Sequence, residues 1–400
     1  MKDEQDCAEE AEDQLINEKY RAWRKSSPIL YDLLICKSLE WPSLTIEWLP
    51  SKETFSDYSI QKILIGTHTN TPNTNYLQLL SIILPLEDSL LNKSTCDALL
   101  SNRNKITSSL ILPHECDINT ARCMPQKDQI IASKGTSGLV YIYDCEKFKD
   151  NPQESPLILT GHQKEGLNLS WSPIKEGFLA SGSDDHLVCV WDLNTMKNPT
   201  VLNHHTSIVE DVSWSEFYIN ALASVGDDRK IILWDLRQNT PSHVIEAHIH
   251  EINSIDFNKH DEFLLATGSN DKTIAIWDMR NMGRKLVSLE YHQDTVHKVS
   301  WAPFSMSIIA SISNDKKVVI WDLGRINSEN LDELPSEVLF THNGHTGRIS
   351  DFSWNLNDHF LMNSVSEDNM LHVWQMSHTL FTTESVRLGV PDKDIPLNSD

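Results

Sequence analysis

Histidine, paired with aspartate at a fixed distance, is the residue in this chain most capable of chemistry. Six histidines, His114, His162, His205, His248, His292 and His345, each stand 29 residues before an aromatic-led dipeptide. Those dipeptides are Tyr143-Asp144, Trp191-Asp192, Trp234-Asp235, Trp277-Asp278, Trp321-Asp322 and Trp374-Gln375. Six residues before the aromatic comes Asp185, Asp228, Asp271, Asp315 or Asp368, with Ser137 in the first unit. A histidine oriented by a carboxylate could act as a general base or hold a metal. The repetition points elsewhere: either group buried alone costs a few kcal/mol, so a His–Asp hydrogen bond tying two loops together explains why they come as pairs. The reading is structural, with no catalytic group, no metal and no cofactor. No Gly-rich phosphate loop, nucleophile elbow or further ligand cluster stands outside the repeat.

The elements that must carry these pairs follow from the period. Nine residues after the histidine come Trp171, Trp214, Phe257, Trp301 and Trp354, with Cys123 in the first unit. Apolar runs such as Val188-Cys189-Val190-Trp191 and Ile274-Ala275-Ile276-Trp277 read as strands buried on both faces. A unit of about 43 residues with these landmarks is the signature of a WD-repeat β-propeller blade. Six units are marked. The runs Leu44–Leu49, Lys62–Thr67, Tyr76–Leu84 and Ile106–Leu112 supply four strands of an unmarked first blade. The last unit lacks an outer strand, and Leu30–Ile35 can provide it, closing a seven-bladed ring and removing its open edges. The fold class is thus all-β, a seven-bladed WD-repeat propeller with an N-terminal α-helix.

Bulk properties narrow the function. The chain is 40% hydrophobic and 23% charged, without the long apolar run that a membrane helix needs. Seven scattered cysteines form no Cys-x-x-Cys pair, so reduced thiols are expected, in the cytosol or nucleus, behind an acidic start unlike a targeting peptide. A formal net charge of −23 serves solubility or a basic partner, and lacks the positive stripe that direct nucleic-acid binding requires.

Two segments lie outside the repeat. Residues 1–27 read as an acidic leader and a helix carrying Ile16, Tyr20 and Trp23 on one stripe, stopped by Ser26-Ser27-Pro28. The propeller then occupies 28–376 and a tail 377–400. Dipeptide spacings of 48, 43, 43, 44 and 53 put an insertion before the last blade, in Arg325–Thr341. It carries Glu329, Asp332, Glu333 and Glu337 and ends in Val338-Leu339-Phe340. Acids followed by apolar residues suit a basic amphipathic helix, or form a plain solvated loop.

Several stretches resemble the retinoblastoma-associated histone-binding WD-repeat proteins. They are Ile16–Tyr20, Pro28–Leu33, Leu39–Thr45, Trp48–Pro50, Leu64–Thr69, Gly161–Gly166, Val209–Trp214, Ile349–Trp354 and Val365–Asn369, within a resemblance covering 15–376. The resemblance implies a histone chaperone or escort, non-catalytic, working in the nucleus with the cytoplasm as a second compartment. Its partners would be core histones and subunits of chromatin assembly, type B histone acetyltransferase, deacetylase, polycomb, remodelling or centromere-deposition complexes, with no direct nucleic acid and no membrane. It implies a side groove for a core-histone helix, with Ile16, Tyr20, Ile29 and Leu30 on one wall and Asp332, Glu333, Leu339 and Phe340 on the other. Where the family has two adjacent prolines in the insertion, this chain has Leu334-Pro335. A second implied site is the propeller top, which takes a basic tail. There Glu40, His68, Asp117, Asn119, Glu165, Glu210, Asp227, Asn253, His297, Arg348 and Glu367 would make an acidic ring. Leu167 and His297 stand where the family has aromatics able to sandwich an arginine.

A rival function is a substrate receptor of a cullin-based ubiquitin ligase. Its basis is two successive Trp-Asp-x-Arg boxes, at Trp234–Arg237 and Trp277–Arg280.

Overall fold

Seven four-stranded antiparallel sheets account for nearly all of the described strands. The computed structural model describes residues 2–69, 74–86, 105–151, 153–326 and 335–378, with 2–13 and 15 described by backbone alone. Blade 1 is the unmarked unit, with strands Ile46–Thr54, Tyr58–Gly66, Asn75–Pro85 and Ile106–His114, longer than the apolar runs suggest. Blades 2 to 6 follow in chain order over 118–159, 169–203, 209–246, 252–290 and 296–342. Blade 7 takes three strands from 349–376 and its outer strand, Tyr31–Ser38, from the start of the chain. That strand pairs antiparallel with Met370–Met376, Leu34 opposite Trp374 and Ser38 opposite Met370.

The helix spans Lys2–Leu30 and so overruns the expected stop at Ser26–Pro28. Pro28 has no N–H to offer the carbonyl of Arg24, and Ser27 Oγ donates to that carbonyl instead, at 3.1 Å. Ser26 Oγ likewise caps the carbonyl of Trp23 at 3.0 Å. The two serines carry the helix past the proline for its last turn.

Within the blades the His–Asp pairing extends into a relay of four side chains. In blade 5, Trp277 Nε1 donates to Thr267 Oγ1 at 2.9 Å, which lies 2.8 Å from His248 Nε2, and His248 Nδ1 lies 2.8 Å from Asp271. If the hydroxyl donates to Nε2, the ring keeps its N–H for the carboxylate, and all four groups are satisfied with the imidazole neutral. Blade 4 repeats the relay with Trp234, Ser224, His205 and Asp228, and blade 6 with Trp321, Ser311, His292 and Asp315. In blade 3, His162 joins Ser181 and Asp185, while the Trp191 indole N–H has no partner.

Blade 7 departs from the expected pair. His345 Nδ1 bonds Ser366 Oγ at 2.6 Å, and it is Ser366 that donates to Asp368, so the pair is bridged rather than direct. Asp368 spends its other oxygen on Thr346 and on the backbone N–H of Thr346 and Gly347.

Blades are joined to one another by a different set of bonds around the central channel. The backbone N–H of Ile46 donates to Asp351, that of Ala121 to Thr45 Oγ1, that of Ile255 to Asp211 and that of Trp301 to Asp256, at 2.8–3.0 Å. Indole N–H groups of Trp171, Trp214, Trp301 and Trp354 reach carbonyls of the preceding blade's inner strand. At the channel waist Asp351 sits between Lys298, at 2.5 Å, and Arg122, at 3.2 Å. Burial opposes its ionisation, but the two cations outweigh burial and hold its carboxyl below the usual range.

Thr267→Val keeps the shape of the blade 5 relay and removes its shared hydroxyl. The variant is expected to lose about 1–3 kcal/mol of stability, as Asp271→Ala is, because each leaves a buried partner unpaired. Urea unfolding measures this, and an unchanged midpoint for both variants would show that the relay contributes nothing.

Candidate functional site

The helix is fastened to blade 7 by Trp23, which is buried. Its Nε1 donates to the Tyr31 hydroxyl at 2.9 Å, and that hydroxyl lies 2.7 Å from His342 Nδ1. The indole is parallel to the His372 ring with centroids 6.0 Å apart and edge-on to His342 at 5.7 Å. Gly344 makes the seat possible: a Cβ there would stand 2.6 Å from the indole Cζ2.

Around this anchor the structure brings together part of the expected side groove. Tyr20 packs on Trp23, with centroids 5.5 Å apart, and Tyr20, Leu30 and Leu339 are partly buried against one core cluster. Ile16 is partly buried one helical turn before Tyr20. Ile29 is 74% exposed, an unusual position for isoleucine at the end of a docked helix. Phe340 corrects the expectation. Its ring is 6% exposed, edge-on to Tyr31 at 5.4 Å and tilted on Trp374 at 5.8 Å, so it belongs to the core beneath the groove. The strand Val338–His342 alternates, and its register turns Phe340 inward to face the closing strand. Asp332 and Glu333 lie outside the described residues.

On the top, a funnel of about 420 Å³ is lined by Asn119, Glu210, Asp227, Asn253, His297, Arg348 and Glu367, with Leu167, Asn270 and Asn314. Glu165 joins its edge through Asn119, at 3.3 Å. Asp117 does not face it as a free acid, because it accepts from Thr69 N and Asn75 Nδ2 within the wall. Glu40 is exposed and His68 partly so, and neither lines the funnel.

The expected acidic ring is a crescent. On one side Arg348 occupies the mouth, its Nε donating to Asn314 at 2.7 Å and its NH1 3.8 Å from Glu367. His297 bonds the same Asn314, and burial lowers the pKa of its ring. On the other side Asp184, Glu210, Asp227 and Glu251 crowd together without a matching cation at the surface. Burial first, then Asp227 and Asp184, pushes the Glu210 carboxyl up to about 7. Burial and Glu251 raise Asp227, and burial and Glu165 raise Asp184. Asp184, Asn270 and Asn314 went unread in the sequence, although a signal was there: each stands immediately before a relay aspartate, as Asp227 and Glu367 do.

The Trp-Asp-x-Arg boxes have a local explanation. Arg237 is clasped by Asp235 and Arg280 by Asp278, each through Nε and NH2, and Arg280 also lies over the Phe263 ring at 4.3 Å.

Comparison with known proteins agrees with this architecture. A family model for the histone-binding protein RBBP4 and its counterpart in the CAF1 complex matches residues 18–86, which include the seat helix, the closing strand and most of blade 1. A WD domain, G-beta repeat model matches 153–192, 196–235, 239–278, 283–322 and 336–375. It passes over blade 1, which has no marker residues, and the blade 2 unit, where Ser137, Cys123 and Tyr143 replace the usual types. Among curated proteins, "Histone acetyltransferase type B subunit 2" of Schizosaccharomyces pombe is 39% identical over 403 residues, covering 94% of each chain.

A cation entering the crescent favours ionised Glu210, so its binding releases a proton. Affinity for a short Arg- and Lys-bearing peptide is therefore expected to rise about tenfold from pH 6 to pH 8 and then level off. Glu210→Gln should abolish that rise with little change in melting temperature. Calorimetric titrations at both pH values decide it, and a pH-independent affinity in the parent chain would count against the crescent.

Proposed function

The chain belongs to the histone-binding family of RBBP4 and its CAF1-complex counterpart, and from that premise we propose that it is a non-catalytic subunit that holds a core-histone helix in the groove beside blade 7. The observation that supports the groove most directly is the Trp23 seat. It fixes the helix on the propeller wall and leaves an apolar strip of Tyr20, Leu30 and Leu339 at the surface with Ile29 standing free beside it. An apolar strip of this kind suits the helix-in-groove mode, in which residues at helical spacing dock as anchors.

The acidic crescent is a second contact, for a basic segment of the same partner, entering from the side of blades 3 to 5. Together the two surfaces describe a subunit that presents histone to an enzyme or an assembly factor and has no reaction of its own. The fission-yeast relative is a subunit of a type B histone acetyltransferase by name. An acetyltransferase of that class is the first partner to seek for this chain, with chromatin assembly, deacetylase, polycomb and centromere complexes after it, in the nucleus.

Two substitutions separate groove from core. Ile29→Asp, at an exposed position, should weaken binding of a histone-helix peptide at least tenfold, about 1.4 kcal/mol, with the melting temperature unchanged. Phe340→Ala should cost about 3–5 kcal/mol of stability because it empties a packed site. Wild-type affinity in Ile29→Asp, measured by fluorescence anisotropy, would end the groove assignment. Asp332 and Glu333 act as steering charges on this reading. Reversing both should slow association and flatten its dependence on salt between about 50 and 300 mM in stopped-flow measurements.

A further inference from the structure

Three imidazoles meet where the helix, the closing strand and blades 6 and 7 come together, and none was marked by the repeat except His345. His342, His345 and His372 are all buried, and they are the one group of three possible metal-ligating side chains in range among the described residues. His342 Nε2 lies 3.1 Å from His372 Nδ1, and the rings of His345 and His372 stack with centroids 4.1 Å apart. His345 has both nitrogens engaged, Nε2 with Ser364 at 2.7 Å and Nδ1 with Ser366 at 2.6 Å. The trio is thus wired as a hydrogen-bonded chain and is not an open ligand set.

We propose that this trio is a proton-operated latch on the N-terminal helix: neutral rings seat Trp23, and protonation of the cluster releases it. Trp23 packs against the rings of His342 and His372 and is tied to His342 a second time through the Tyr31 hydroxyl. A positive charge on His372 or His342 would stand in an apolar cluster beside another imidazole, where no solvent can screen it.

The groups facing the trio leave no base to share the proton. From blade 7, Asp368 is the carboxylate acting on His345 and His372, and its oxygens are committed to Ser366, Thr346 and Gly347. From the closing strand come the Tyr31 hydroxyl, which burial keeps protonated, and behind it Cys36, whose thiol burial pushes up to about 11 against the pull of Arg24. Asp32 is turned outward to Ser377 and His378.

Burial and mutual repulsion hold His342 and His345 well below the ordinary histidine value, and burial holds His372 at about 4. The docked state therefore excludes protons that an undocked state would bind. Docking has its full strength above the ordinary value of about 6.5 and weakens as pH falls from there toward 4. Each histidine exposed on release favours the undocked state by about thirtyfold more at pH 5.0 than at pH 7.5. Because the helix carries one wall of the groove, release would also free a bound histone helix, and that corollary rests on the function proposed above.

The test uses the full chain labelled with 5-fluorotryptophan and followed by fluorine NMR from pH 7.5 to 4.5, with the Trp23 resonance identified by its loss in Trp23→Phe. The expected result is a shift of Trp23 to a solvent-exposed position with a midpoint between about pH 5 and 6, while the other eleven of the twelve tryptophans keep their folded positions. In His372→Gln the number of protons taken up on release, read from the steepness of the transition, should fall by about one. The proposal is overturned if Trp23 stays docked until all tryptophans unfold together, or if His372→Gln leaves that proton count unchanged. Should His372→Gln not fold, the wild-type titration decides alone. A peptide spanning the first helix of a core histone is added at both ends of the range. Its failure to bind at pH 7.5 defeats the groove and leaves the latch intact. Equal binding at pH 7.5 and 5.0 with Trp23 released defeats the coupling between them.

Discussion

Neighbouring blades of this propeller share no backbone ladder, so the ring depends on what side chains near the channel offer to the next blade's unpaired N–H groups. An inner strand uses one edge on its own sheet and leaves the other facing the channel, where an unpaired donor costs about as much as a lost hydrogen bond. Asp351, Thr45, Asp211 and Asp256 take up such donors, and the tryptophan indoles return the bond to the preceding blade's carbonyls. These acids face a conflict. They are buried in a ring that already carries a surplus of negative charge, and Asp211 is pushed up to about 7 by its burial. Lys298 and Arg122 resolve the conflict at Asp351, and Lys259 does so at Asp256.

The two surfaces assigned a role are built from the margins of this framework. Residues of the top funnel sit at the ends of the same inner strands and in the turns just before the relay aspartates, so the relay sets their positions while leaving their chemistry free to vary. Asp227 and Arg348 occupy comparable rims on opposite sides and carry opposite charges. The side groove exists because blade 7 alone is assembled from both ends of the chain, which puts the helix, the closing strand and the last outer strand of blade 6 in one cluster.

Periodicity made the ring legible in advance. Histidine, aspartate and aromatic residues recur at fixed intervals because each blade solves the same burial problem. The hydroxyl at the centre of the relay recurs as regularly, 19 residues after each histidine at Ser133, Ser181, Ser224, Thr267, Ser311 and Ser364, and is harder to notice only because serine is common. Features that occur once had no such signal. Phe340 looks like an exposed anchor until the register of its strand turns it under Tyr31. Arg348 looks like one member of an acidic ring until its reach to Asn314 and Glu367 is known. His342 and His372 belong to no repeat, and only the folding of distant segments onto each other makes them neighbours. The helix end was misplaced because serine hydroxyls can take over a hydrogen bond that proline cannot make.

The outer strand of blade 7 also has a history in time. Tyr31–Ser38 is among the first segments to leave the ribosome, yet its partner Met370–Met376 is made roughly 330 residues later, about 15–70 s at ordinary elongation rates. Throughout that interval the nascent chain carries an apolar strand with an unsatisfied edge, while blades 1 to 6 can stack in order behind it. Such a segment is a natural client for a holdase, and any pause that lengthens its wait raises the chance that it pairs with the wrong neighbour. The strand that gives the finished ring its closure is therefore, during synthesis, the part of the molecule most exposed to misassembly.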